Sequence, residues 1–373
     1  MTGVGGDSEN ELNRLLASKA GKSIKNRITE IKQEIQEDEM QSFSKNVERS
    51  GIHDTLVDIC VSAFGPESTC YDKLGYAFVS SEPLVELGLK NFDVLIYNQK
   101  TKHAIFVQCK SSLSNPGRDI SDSYEAKKKV VENKTYLEDK LGDEIRTIEF
   151  VICIPAEKTD RLVRELERRE NTGEIDITKD KLLLVWQVNK FEGQVLQLFT
   201  RINSRANHYK SQHKDNELTK ILANGIRVDA EVLVKMYPSS HPLNQGIKIV
   251  ADILAKNARN MVADTFSTEF SGKSVEEFCQ SPRNIAHYAY EAIGKSIADR
   301  FLMESKALGL IEAIEGREGW FRFKIEGKTI KTILANYKKY YQKAVVTRLV
   351  KEKAEEKAVQ EYRKIYPELF TFR

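Results

Sequence analysis

With 373 residues, 40% of them hydrophobic and 30% charged, the chain has enough apolar content for a full core, and its length suggests two domains. A net charge of +3 excludes a uniformly basic protein but leaves room for local basic patches, and no apolar run is long enough to span a membrane. The five cysteines, Cys60, Cys70, Cys109, Cys153 and Cys279, are odd in number and lack zinc-type spacing. They predict reduced, mostly buried thiols in a cytoplasmic protein, and the start Met1-Thr-Gly-Val-Gly-Gly lacks the basic and apolar regions of a signal peptide.

Residues 8–40 read as a polar helix or helix pair, with Leu12, Leu15, Leu16, Ile24, Ile28, Ile31 and Ile35 as its apolar stripe. A second helix is expected from Ile52 to Phe64, carrying Leu56, Ile59, Cys60 and Ala63 and ending at Gly65. Tyr76–Ser80 reads as a first strand, and Leu84–Leu89 leads into the most informative stretch of the chain.

That stretch is Asn91–Lys110. Two runs rich in β-branched and aromatic residues flank the break Gln99-Lys-Thr-Lys102, which predicts a β-hairpin. Symmetric pairing sets Leu95 across from Phe106, Tyr97 from Ala104, and Asp93 from Gln108. Alternation puts Val94, Ile96, Ile105, Val107 and Cys109 on one face, and Asp93, Gln108 and Lys110 at one end of the other. Hard divalent cations such as Mg2+ take oxygen ligands, and Asp93, the Gln108 amide and the Cys109 carbonyl offer three. The Lys110 ammonium can hold a water or a phosphate, so the set suits phosphodiester hydrolysis. The same residues also read as a strand-end ion pair between Asp93 and Lys110.

The order acid, hairpin, Gln-x-Lys resembles the active-site signature of the PD-(D/E)XK nuclease superfamily, which includes many type II restriction endonucleases and Mrr-like enzymes. In that pattern Asp93 matches the first acidic ligand, Gln108 the second ligand and Lys110 the lysine. Phe92 stands in place of Pro, and Gln108 in place of the usual Glu or Asp. The resemblance implies an α/β fold with a restriction-endonuclease-like core, a mixed sheet flanked by helices. It also implies cleavage of double-stranded DNA with Mg2+ as cofactor (Mn2+ as a substitute), often by a homodimer. Members often place a further acidic ligand on the preceding helix, where Glu48, Asp54 and Asp58 are equal candidates.

Beyond Lys110, the polar loop Ser111–Arg118 precedes a helix over about Asp122–Leu141. Its buried side is expected to be Tyr124, Val130, Val131, Leu137 and Leu141, with Lys127 and Lys128 on an outer face that can line a DNA cleft. Ile145–Ile154 reads as a central strand, Asp160–Glu170 as a helix, and Lys181–Gln187 and Gly193–Phe199 as strands. Arg201–Lys220 turns basic, with His208 and His213, and reads as a domain boundary.

The remainder is expected to be mainly helical, with helices at Ile247–Leu254, Val275–Cys279 and Ile285–Ile293. A helix through Ser296–Lys306, then Glu312–Glu315 and Trp320–Ile325 around Gly316-Arg-Glu-Gly319, resembles a winged-helix DNA-binding fold. Lys295, Arg300, Lys306 and Arg317 are its candidate DNA contacts, and Lys328–Arg363 is a long charged helix. The expected organisation is a helical extension over 1–45, a nuclease core over 46–200 and a winged-helix-like DNA-binding or dimerisation domain over 220–373. The functions in view are a type II restriction endonuclease, a modification-dependent or repair nuclease, and a DNA-binding regulator on an inactive nuclease core.

Overall fold

In the computed structural model, Val94–Asn98 (β2) and His103–Cys109 (β3) pair antiparallel with Leu95 opposite Phe106 and Tyr97 opposite Ala104. This is the expected register. The turn between them is built by Asn98, whose Oδ1 accepts the amides of Lys100 and Thr101 at 3.0 and 3.2 Å, and Lys102 closes it at φ +56°. The structure describes residues 13, 16–17, 21–66, 68–89, 91–113, 115–174, 183–189, 194–198, 212–228, 236–259 and 268–365. Leu12, Leu15, Arg201, Arg205, His208 and Lys210 lie outside them.

The hairpin belongs to a seven-stranded mixed sheet in chain order, with Tyr76–Ser81 (β1) on one side and Thr147–Pro155 (β4), Leu183–Asn189 (β5), Gln194–Leu198 (β6) and Ile226–Val228 (β7) on the other. The β3–β4 and β4–β5 pairs are parallel and the rest antiparallel. Parallel neighbours need crossover helices, and those helices cover the sheet. One face packs the end of Gly21–Ala63 (α1) through Leu56, Ile59 and Cys60 against Val94, Ile105, Val107 and Val151. The other packs Pro116–Glu132 (α2), Lys134–Leu141 (α3) and Ala156–Asn171 (α4) against Leu95, Phe106 and Phe150. The helix expected over 122–141 is broken at Asn133, and Val131 is exposed rather than buried because Ile120, Ser123, Ala126 and Val130 set the inward stripe.

The chain divides into two compact units, one of residues 49–252 and 272–301, the other of 1–48, 253–271 and 302–373. The division does not follow the expected boundary near 220, because Asn216–Asn224 (α5) and β7 complete the sheet: Leu218 and Leu222 are buried in its core, and β7 pairs with β6. Pro242–Arg259 (α6), Gly272–Cys279 (α7) and Tyr290–Ala307 (α8) follow. No helix forms over 285–289. There the Ala286 carbonyl accepts the Ser81 amide at 2.6 Å, beside the edge strand β1.

At the end of the sheet away from Asp93, Glu149 is buried between His103 Nε2 at 3.1 Å and His213 Nδ1 at 2.6 Å. Trp186 Nε1 donates to His213 Nε2 at 3.0 Å, so His213 carries its proton toward Glu149. Burial opposes ionisation of Glu149, yet the contact with His103 and the hydrogen bond from His213 hold it well below the usual carboxylate range. His213, read above as part of a boundary, is thus a core residue of the sheet unit.

In the second unit, Ile24, Ile28 and Ile31 of α1 bury against Ala354, Ala358 and Val359 of Ile330–Ile365 (α9), and Arg27 binds Glu361 at 2.8 Å. The predicted extension is therefore paired with the carboxy-terminal helix. The same unit holds a three-stranded sheet in which Trp320–Phe323 (β10) lies between Glu269–Ser271 (β8) and Ile311–Ala313 (β9). Gly316 and Gly319 at φ +76° and +72° allow the turn between β9 and β10. No helix among the described residues is long and apolar enough to cross a membrane.

Candidate functional site

Asp93 precedes β2, where its amide donates to the Val107 carbonyl at 2.9 Å and extends the hairpin by one step. Its carboxylate bridges two elements: Oδ2 accepts the Cys109 amide at 2.6 Å, and Oδ1 lies 3.2 Å from His53 Nε2 on α1. The other ring nitrogen of His53 is 3.6 Å from Asp54 Oδ1, beyond a good hydrogen bond. Burial by itself would lower the His53 pKa, but the charge of Asp93 and contact with Asp54 raise it to about 10, so the ring is an imidazolium at neutral pH.

Glu82 adds a second carboxylate to this end of the sheet. Its amide donates to the Asp93 carbonyl at 3.0 Å, and its Oε1 accepts from Ser239 N and Oγ at 2.9 and 2.6 Å. Burial pushes its pKa up, Ser239 pulls it back, and the negative charge of Asp93 pushes it up again. Glu82 also sits at φ +45°, a left-handed backbone that costs a non-glycine residue about 1 kcal/mol or more.

Gln108 and Lys110 are engaged from the opposite helix layer. Ser123 Oγ on α2 donates to Gln108 Oε1 and also lies 2.9 Å from the Asp119 carbonyl. Lys110 Nζ is 3.9 Å from Asp119 Oδ1, and its amide donates to the Cys153 carbonyl at 2.9 Å. Asp119 is pushed up by burial against the pull of Lys110. The start of α2 is fixed by Asn115, whose side chain caps the Arg118 amide at 3.1 Å, with Pro116 at the first helical position.

The three residues singled out from the sequence lie at one end of the hairpin, but they do not share the one face expected to carry all three. Asp93 is held by α1, and Gln108 and Lys110 by α2. The direct Asp93–Lys110 strand-end pair is replaced by Asp93–His53 and Lys110–Asp119. Their side chains are between 16% and 24% exposed, so water reaches them. Of the three helix acids considered, Asp54 adjoins the site, Asp58 accepts the Tyr237 hydroxyl, and Glu48 is exposed.

His53, Glu82, Asp119 and Ser123 were not singled out by sequence reasoning. His53 adjoins Asp54 where α1 passes from its polar stretch to the apolar run that begins at Leu56, a usable signal. Glu82 follows Ser80-Ser81 ahead of Pro83, but nothing in that run announces a left-handed backbone.

The basic residues separate by exposure. Lys128, Lys295 and Lys306 are exposed, Lys128 being 3.8 Å from Glu132. Lys127 does not face outward: its ammonium lies 5.2 Å from the Tyr124 ring centre and 5.8 Å from that of Phe150. Arg300 donates to Gln245 Oε1 and is half-buried. Arg317 stacks on Trp320 at 3.8 Å and pairs with Glu269 at 2.9 Å, while remaining 45% exposed.

No family model matches the chain, and no solved structure matches it. It is 20% identical over 320 residues to an uncharacterized protein of Archaeoglobus fulgidus, covering 80% of this chain and 82% of that one. Likeness at that level names no activity.

Proposed function

We propose that the protein is a cytoplasmic, metal-dependent endonuclease acting on double-stranded DNA, of the PD-(D/E)XK kind and closest in role to a type II restriction enzyme. The observation that carries this reading is the placement of Asp93 one register step beyond Val94–Val107, opposite Gln108, with Lys110 two residues on, where an antiparallel hairpin meets a parallel strand. An order of helix, three strands, helices and a parallel strand supports it, because that is the arrangement the resemblance implies.

The donor types suit a hard divalent cation: Asp93 and Glu82 bring carboxylates to this end of the sheet, and Gln108 brings an amide oxygen that Ser123 holds from the other helix layer. These residues would hold Mg2+ or Mn2+, which when bound supplies Lewis-acid polarisation of a phosphodiester. Lys110 offers an ammonium beside the scissile phosphate and orients water against it. His53 balances the charge of Asp93 and holds its carboxylate against α1. Lys128, Lys306 and Arg317 offer phosphate contacts that carry no sequence information, and a homodimer would present two such sites to the two strands.

One observation favours a second reading. Asp93 and Lys110 are each already paired within the fold, with His53 and Asp119. A DNA-binding regulator on an inactive nuclease core is consistent with that. The two separate on supercoiled plasmid: the endonuclease nicks it with Mg2+ or Mn2+ and loses this on Lys110→Ala, whereas the regulator retards DNA in a salt-dependent way and cuts nothing.

A further inference from the structure

Behind the Asp93 end of the hairpin, on the α1 face of the sheet, three of the five cysteines converge. Cys109 closes β3 and Cys153 lies in register beside it on β4, while Cys60 descends on both from α1. All three are free thiols, at most 2% exposed, and their sulfur atoms lie within 4.8 Å of one another. We propose that Cys60, Cys109 and Cys153 form a binding site for one thiophilic metal ion of the zinc or monovalent copper class.

The geometry needs little adjustment. A zinc–sulfur bond of about 2.3 Å sets thiolate sulfurs about 3.8 Å apart in a tetrahedral site, so the triangle contracts by at most about 1 Å. Soft sulfur donors select such ions over Mg2+, which keeps this site chemically distinct from the oxygen donors beside it. Among the described residues no fourth side chain joins the group, whereas iron–sulfur clusters take four thiolates.

Charge is handled within the group. Binding a divalent ion releases two of the three thiol protons to solvent, and two thiolates with the third cysteine still a thiol leave the site neutral, the state an apolar pocket favours. The remaining cysteines show what isolation does: burial pushes Cys70 and Cys279 up to about 12. In the trio, hydrogen bonds from Cys109 and then Cys60 pull the Cys153 thiol down, while Cys60 and Cys109 are pushed well up. The amide of Cys109 is bound by Asp93, which ties the sulfur site to the hairpin end without sharing its donors.

The test uses the reduced full-length protein. Titration with Co2+, a spectroscopic stand-in for zinc, is expected to give a sulfur-to-cobalt charge-transfer band that saturates at one ion per chain. Zn2+ should displace it. Cys153→Ala should weaken binding at least tenfold and abolish the band, and Cys70→Ala should leave both unchanged, with circular dichroism showing each variant folded. Should Cys153→Ala fail to fold, X-ray absorption of the zinc-loaded wild type decides: sulfur scatterers at about 2.3 Å support the proposal. A shell of oxygen and nitrogen only, no stoichiometric binding, or a band that survives Cys153→Ala would overturn it.

Discussion

His53 Nε2 lies 3.2 Å from Asp93 Oδ1, so the acid at the head of the hairpin is neutralised from α1 and not by the lysine of its own hairpin. His53→Ala leaves a largely buried carboxylate without its charged partner. Hydrogen bonds to charged groups contribute about 1.5–3 kcal/mol, and a loss of about 2 kcal/mol is expected in urea unfolding. An unchanged midpoint would mean the pair contributes nothing to the fold.

Glu149 makes stability depend on acid pH. Its pKa in the folded protein is depressed, so its contribution is fully present above the unfolded value, about 4.5, and is lost as pH falls through the lower folded value. Unfolding free energy should therefore drop steeply below about pH 4.5, and Glu149→Gln should flatten that slope while costing stability at pH 7. Parallel pH profiles for wild type and variant would count against the buried His103–Glu149–His213 arrangement.

The left-handed backbone at Glu82 gives a comparison of two substitutions. Both Glu82→Ala and Glu82→Gly delete the contacts to Ser239, but only glycine accepts φ +45° without strain. The glycine variant should be the more stable by about 1 kcal/mol, read from thermal or urea melts. The reverse order would show that the segment relaxes to an ordinary conformation.

Asn115 fixes the first turn of the helix that carries Asp119 and Ser123 to Lys110 and Gln108. Asn115→Ala should cost about 1 kcal/mol, and hydrogen exchange should quicken in the first turn of α2 before any other helix of that unit. Exchange that quickens uniformly would indicate a global loss instead.

Much of the sheet was legible because its signal is local. The runs 94–98 and 103–109 alternate at period two around a polar break, and their register follows from the length of that break. The stripe Ile24, Ile28, Ile31 was equally plain, but its partner, Ala354–Val359, is more than 300 residues away, and spacing along the chain gives no hint of it. The boundary near 220 misled for a similar reason. A basic, apolar-poor stretch looks like a linker, yet α5 and β7 beyond it supply the last strand of the sheet. At the site, the residue types and the end of the hairpin they occupy were readable, but not that Asp93 would turn to the face opposite Gln108 and Lys110. Their partners were not, because His53, Glu82 and Asp119 arrive from three separate elements.

Whether the hairpin end hydrolyses DNA, as proposed, is decided by the conversion of supercoiled plasmid to nicked circle by purified protein, with and without Mg2+ or Mn2+, beside Asp93→Ala. Nicking by the wild type is expected only with the cation, reduced at least a hundredfold in the variant. A folded wild type that binds plasmid but leaves it supercoiled with either cation, or equal nicking by Asp93→Ala, would contradict it.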